Sequence, residues 1–181
     1  MEENIRKLTH AEISENRSTL ETIHEVAKLP VYVFVDSIRS SYNVGSIFRT
    51  SDGAMIKKLF LCGYSPHPPN KEVLKTALGS QDSVDWEFIK DPIDEIKKLK
   101  EQGVKFCALE QTDKSISYSN VSPTDFPLGL IIGNEITGVS QDLLDLCDFA
   151  VEIPQYGIKQ SLNVAVAYGI TIFELRRIFE K

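Results

Sequence analysis

Short apolar runs rich in β-branched and aromatic residues recur along this chain: Val31–Asp36 (VYVFVD), Leu59–Cys62, Val84–Ile89, Val104–Leu109, Leu128–Ile132 (LGLII) and Phe149–Ile153. Runs so short and so apolar suit strands covered on both faces. Between them lie stretches long enough for crossover helices. The pattern therefore predicts an α/β domain with a mainly parallel six-stranded sheet flanked by helices. Helices are expected at Asn43–Ala54, Lys71–Ala77, Pro92–Lys100, Leu143–Cys147 and Leu162–Phe179, with Asn43 and Ser161 as N-caps. Residues 63–70 (GYSPHPPN) read as a loop. Residues 8–29 read as one more helix, opened by a Thr9/Glu12 capping box and ended by Pro30. The chain thus divides into an N-terminal helical extension over 1–30 and one domain over 31–181.

At 181 residues the chain suits one domain. No apolar run approaches the roughly 20 residues of a membrane span, and MEENIRKLTH holds no apolar signal region. Cys62, Cys107 and Cys147 are odd in number and far apart, which points to reduced thiols and a cytoplasmic protein. His10, His24 and His67 have no ligand spacing, so no metal is expected. The net charge of −6 argues against indiscriminate polyanion binding. Its distribution is uneven. Residues 37–80 hold six basic side chains (Arg39, Arg49, Lys57, Lys58, Lys71, Lys75) against two acidic, whereas residues 81–150 hold six basic against fourteen acidic. One basic face on an acidic protein permits a local nucleic-acid contact.

Three polar clusters follow predicted strands. Ser40–Thr50 (SSYNVGSIFRT) carries Asn43, Gly45 and Arg49, whose guanidinium fork suits phosphate or carboxylate. Gly133–Gly138 (GNEITG) puts Glu135 at the carboxyl edge of the sheet, where α/β proteins place ligands. Ser161-Leu162-Asn163 opens the last helix, beside free N–H donors. There is no GxGxxG turn, GxxxxGK[ST] loop, GxSxG elbow or CxxC pair. The last helix is apolar all round, and Ala165, Ala167 and Gly169 smooth one strip of it. Such a helix is covered on more than one side, by the sheet and by either the same chain or a second subunit.

NVGSIFRT, LIIGNEITGVS and IPQYGIKQSLNVAVAYGI, in this order, resemble the three signature motifs of the SpoU (TrmH) RNA 2′-O-ribose methyltransferases of the SPOUT superfamily. The resemblance covers roughly residues 31–178. It implies S-adenosyl-L-methionine as methyl donor, RNA (tRNA or rRNA) as substrate, a homodimer, and a C-terminal deep trefoil knot. It implies Arg49 as the catalytic arginine, supported by Asn43, Glu135, Ser161 and Asn163. It also implies donor contacts from the loops at Leu109, Gly133, Ile153 and Leu162. Two positions depart from the family: Ile136 where a small residue is frequent, and Gln155 where methionine is frequent. A non-catalytic RNA-binding protein that keeps the fold is the alternative, and it has no need of all five polar residues.

Overall fold

The computed structural model describes residues 5–181; residues 1–4 of the extension lie outside the described residues. Seven strands form one sheet: β1 Leu29–Asp36, β2 Ile56–Cys62, β3 Trp86–Ile89, β4 Lys105–Leu109, β5 Ile116–Ser117, β6 Leu128–Ile132 and β7 Phe149–Glu152. Their order is β3-β2-β1-β6-β4-β7-β5, and every pairing is parallel. The expected six strands are all present. The seventh, β5, is two residues long, too short to leave a pattern in the sequence.

The helices are α1 His10–Glu15, α2 Ser41–Ala54, α3 Lys71–Ala77, α4 Ile93–Glu101, α5 Gln141–Leu144 and α6 Val164–Phe179. Val44, Ile47 and Phe48 of α2, Val73 and Ala77 of α3, and Tyr168, Ile172 and Leu175 of α6 pack on one face of the sheet. Ile96 and Leu99 of α4 and Leu143 of α5 cover the other face, against Phe34, Phe60 and Phe106. A Cβ on Gly129 would lie 2.3 Å from the Phe106 ring, so β6 must be bare there.

The long helix expected over 8–29 is not formed. Thr9 and Glu12 do make their capping box, but α1 stops at Glu15 and only a 3₁₀ turn, Ile23–Glu25, follows. Asn16 and Ser14 turn their side chains back onto the carbonyls of Glu12 and His10, which competes with helix propagation. No residue of α1 is buried, so packing does not compensate. Leu29 and Pro30 belong to β1.

Register places the functional loops. Val35 pairs with Ile132, Ile132 with Leu109, and Leu109 with Val151. The carboxyl ends of β1, β6, β4 and β7 are therefore level, and their loops stand side by side.

Candidate active site

At this edge lies a cavity of about 470 Å³. Leu109, Ile132, Leu162, Val164 and Ala167 form its apolar walls; Gly133, Glu135, Ile153, Ser161 and Asn163 complete it with Glu110 and Glu152. Three carboxylates and no lysine, arginine or histidine line it. Such a cavity favours a partly apolar ligand that carries positive charge.

Glu135 is tied to its surroundings. Its carboxylate accepts from the backbone N–H of Arg39 (2.9 Å) and of Ser40 (3.1 Å), and from the Asn43 amide (2.9 Å). Burial raises its pKa, but these bonds and its own N–H outweigh burial and hold the carboxyl below its ordinary value. Asn43 in turn accepts from the Asn163 amide at 3.0 Å. Asn163 Oδ1 accepts from the N–H groups of Ala165 (2.9 Å) and Val166 (3.3 Å). Glu135, Asn43 and Asn163 thus make one hydrogen-bonded chain across three remote segments.

Two caps differ from expectation. Ser40, not Asn43, caps α2, accepting from Asn43 N–H at 3.3 Å. Asn163, not Ser161, caps α6. In both places several cap-capable residues stand close together, and tertiary contacts decide among them. Ser161 is exposed on the cavity wall, and among the described residues its hydroxyl makes no hydrogen bond.

Arg49 stands apart. It is exposed on α2, does not line the cavity, and joins no ion pair or side-chain hydrogen bond among the described residues. Asn43 and Glu135 therefore do not orient Arg49 within one chain, against expectation. They fix the β1–α2 loop instead. Six residues separate Asn43 from Arg49, which is about 240° around a helix; that spacing already turns Arg49 away from Asn43. Arg49 shares the outer side of α2 with Tyr42, Ser46 and Gly53. Beside it, α6 exposes Val166, Ile170 and Phe173 at helical spacing. Gly53 and Phe173 are near enough that a Cβ on Gly53 would touch the Phe173 ring at 3.4 Å, so the two helix faces are continuous.

Close backbone approach explains two of the glycines. At Gly45 the neighbour is α3: a Cβ there would lie 1.8 Å from Thr76 Oγ1 and 2.6 Å from the Val73 carbonyl oxygen. A Cβ on Gly133 would lie 2.2 Å from the Gly138–Val139 backbone, which folds over it. Gly169 is not pressed by its own chain, since a Cβ would be 3.9 Å from Thr50.

Three polar residues escaped the sequence reading. Glu110 accepts from Val139 N–H (3.0 Å) and so holds the Gly133–Val139 loop. Gln111 donates to the Gln160 carbonyl (2.6 Å). Glu152 accepts from Ser115 (2.7 Å). Their signal was available: each follows or ends a buried parallel strand, where a polar residue faces the ligand edge. The basic face is smaller than expected. Lys57 and Lys58 lie at the amino end of β2, and Lys58 pairs with Glu87 at 2.8 Å. Arg39, Arg49, Lys71 and Lys75 remain exposed. The three cysteines are unpaired, and burial pushes the Cys62 and Cys147 thiols up to about 12, which excludes a thiolate nucleophile there. Among the described residues no metal-ligand cluster occurs, and no helix is long and apolar enough to cross a membrane.

Known proteins share this fold. The tRNA (guanosine(18)-2′-O)-methyltransferase of Aquifex aeolicus is 32% identical over 161 residues, 87% of this chain and 74% of that one. The crystal structure of the A. aeolicus TrmH/SpoU tRNA modifying enzyme superposes with a TM-score of 0.77 at 30% identity, covering 89% of this chain and 82% of that one. An AdoMet-bound rRNA methyltransferase from Sinorhizobium meliloti superposes with a TM-score of 0.76 at 30% identity, covering 83% of this chain and 60% of that one. The SpoU rRNA Methylase family model matches residues 30–173, nearly all of the sheet and its crossovers, and the chain belongs to that family.

Proposed function

We propose that this protein methylates a ribose 2′-hydroxyl in structured RNA, a tRNA or an rRNA, with S-adenosylmethionine as donor, and that it works as a cytoplasmic homodimer. The observation that carries this reading is the Asn43–Glu135 and Asn43–Asn163 bonding at the rim of a carboxylate-lined cavity that lacks cations. The donor, when bound, supplies an electrophilic methyl on a positively charged sulfur. Leu109, Ile132 and Leu162 offer apolar cover for its nucleoside, and backbone groups near Gly133 and Ile153 offer polar contacts. Glu110, Glu135 and Glu152 complement its positive charge.

A ribose hydroxyl that attacks a methyl group must shed its proton, and negative charge grows on its oxygen. Arg49 stabilises that charge and clamps the neighbouring phosphate. A guanidinium offers five N–H donors and no acceptor, so Arg49 is the electrostatic partner and not the base. Ser161, whose hydroxyl is unengaged on the cavity wall, stands in the proton path, or a substrate phosphate takes that role. Asn163 shapes the junction of donor and ribose sites. Arg49 lies outside its own chain's cavity, on the face that α2 and α6 expose. A homodimer through that face presents Arg49 to the partner's cavity. The division into an N-terminal extension and a methyltransferase domain belongs to this reading, with the boundary moved from 30 to Lys28, because β1 begins at Leu29. So does the trefoil knot, which is supported by the family and by the 153–163 segment lying against the loop after β4 through the Gln111–Gln160 bond.

The test is methyl transfer from radiolabelled donor to RNA taken from cells that lack this protein, followed by mapping of the 2′-O-methyl position. Incorporation at a single nucleotide is expected. If calorimetry detects RNA binding but no donor binding, the protein is a non-catalytic RNA binder.

A further inference from the structure

We propose that Tyr64 and Arg39 seat the nucleotide that carries the reacting ribose, Tyr64 by stacking on its base and Arg39 by holding an adjoining phosphate; this rests on the RNA methyltransferase reading above. The pairing of Asp36 with Cys62 sets the Gly63-Tyr64 turn beside Ser37. The contact is tight: a Cβ on Gly63 would lie 2.1 Å from Ser37 Oγ. The Asn134 amide nitrogen donates to the Tyr64 hydroxyl (2.9 Å) and to the Ser37 carbonyl (2.7 Å). Asn134 Oδ1 accepts from the N–H groups of Ile136 and Thr137. Tyr64 is therefore fastened to the loop that carries Gly133 and Glu135, both on the cavity wall.

Fastened at its tip, Tyr64 is still 64% exposed. A tyrosine that served only to satisfy Asn134 gains nothing from leaving its ring in water. A flat ring held at the rim of an RNA site gains a stacking partner, because every base offers a π-face. Bases that can be splayed out in this way belong to single-stranded loops. The segment around Tyr64 is already set for binding. Ser65, 1% exposed, accepts from Ile38 N–H (3.0 Å) and donates to the Val35 carbonyl (3.1 Å). The His67 ring stacks on Phe88 with centroids 4.1 Å apart. Ordering costs on binding are correspondingly small. Arg39 stands on the same carboxylate as the site: its N–H donates to Glu135, its side chain is exposed, and it joins no ion pair among the described residues. Its guanidinium is free for a phosphate. Lys71 and Lys75, also exposed, extend the positive potential in the same segment.

The test compares wild type, Tyr64→Ala, Tyr64→Phe and Arg39→Ala in methyl transfer to total RNA from cells lacking the protein, with donor affinity measured by calorimetry. Tyr64→Ala is expected to raise the RNA KM about 5- to 150-fold, the worth of one aromatic–base stack, and to leave donor affinity unchanged. Tyr64→Phe keeps the ring and is expected to keep most of the RNA affinity. Arg39→Ala is expected to weaken RNA binding and to lower its salt slope by about 1. A wild-type RNA KM in Tyr64→Ala overturns the inference. So does Tyr64→Phe losing as much as Tyr64→Ala with donor affinity falling in both, since Tyr64 is then only an anchor for Asn134. Tyr64→Leu, bulky but not flat, repeats the test if the alanine variant is unstable. No methyl transfer by wild type to any of this RNA overturns the methyltransferase reading together with this one; the variant results separate the two.

Discussion

On the cavity wall, Glu110, Asn134, Glu135, Glu152 and Asn163 all find hydrogen-bond partners within the chain. Across the outer side of α2 and α6 the opposite holds: among the described residues Arg49 has no hydrogen-bond or ion-pair partner, and Val166 and Phe173 are 52% and 51% exposed. One region is finished by the chain that builds it. The other spends apolar surface on water and strands its arginine beside it, an arrangement that the proposed second copy would repair. The contrast teaches that donor binding and methyl transfer are separable here. In the proposed homodimer, the first needs one chain and the second needs two.

The largest expected effect tests that separation directly. Arg49→Ala should cut methyl transfer about 10²- to 10³-fold, the range for losing one donor to a developing oxyanion, with donor affinity intact. Mixing this variant with Asn163→Ala protein should then restore about a quarter of wild-type activity, because half of the dimers are mixed and each has one complete site. A mixture no more active than its components would place Arg49 at its own chain's cavity and break the comparison. Next in size, Ile170→Glu combined with Phe173→Glu puts two charges on the exposed stripe of α6. Light scattering should show a monomer, and transfer should be lost in proportion. Calorimetry should still show donor binding, since the cavity lies within one chain.

How much of this was visible beforehand depends on how local the cause is. LGLII became β6 at the residues expected, because five buried positions leave no other reading. Leu109, Gly133, Ile153 and Leu162, which the resemblance implies as donor contacts, all line the cavity; register alone brings the first three together, whereas Leu162 is brought in by the loop that opens α6. Locally Asn43 reads as a cap, a role that Ser40 fills. Its actual partners, Glu135 and Asn163, lie 92 and 120 residues away, and no local rule names them. The helix expected over 8–29 failed for the converse reason: its start signal is genuine, but no residue of α1 is buried, and Ser14 and Asn16 compete with its propagation. Asn43 and Arg49 share one motif and the resemblance assigns them to one site, yet helical geometry turns them apart within the chain.

Asn163 joins the two regions, so its loss should be felt in both. It caps α6, lines the cavity and bonds Asn43 of α2. Asn163→Ala should cost about 1 kcal/mol of stability from the cap, a fall in Tm of roughly 2–4 °C for a chain of this size. Asn163→Asp keeps the cap acceptor but not the donor to Asn43. It should recover the Tm without recovering activity; recovery of both would mean that the Asn43 link is ornamental.

The smallest effect concerns the charge of the finished region. Ser115 donates to Glu152 at 2.7 Å, and an amide oxygen can accept the same bond, so Glu152→Gln removes charge while leaving the wall in place. The methyl donor is a sulfonium cation; once the methyl has left with the ribose oxygen, sulfur keeps the bonding pair and the product is a neutral thioether. A carboxylate across a solvent-open cavity distinguishes the two by about 1 kcal/mol. Calorimetry on Glu152→Gln should therefore show donor affinity falling about fivefold while thioether affinity holds. Equal loss for both ligands would make Glu152 part of the cavity's shape and not of its charge.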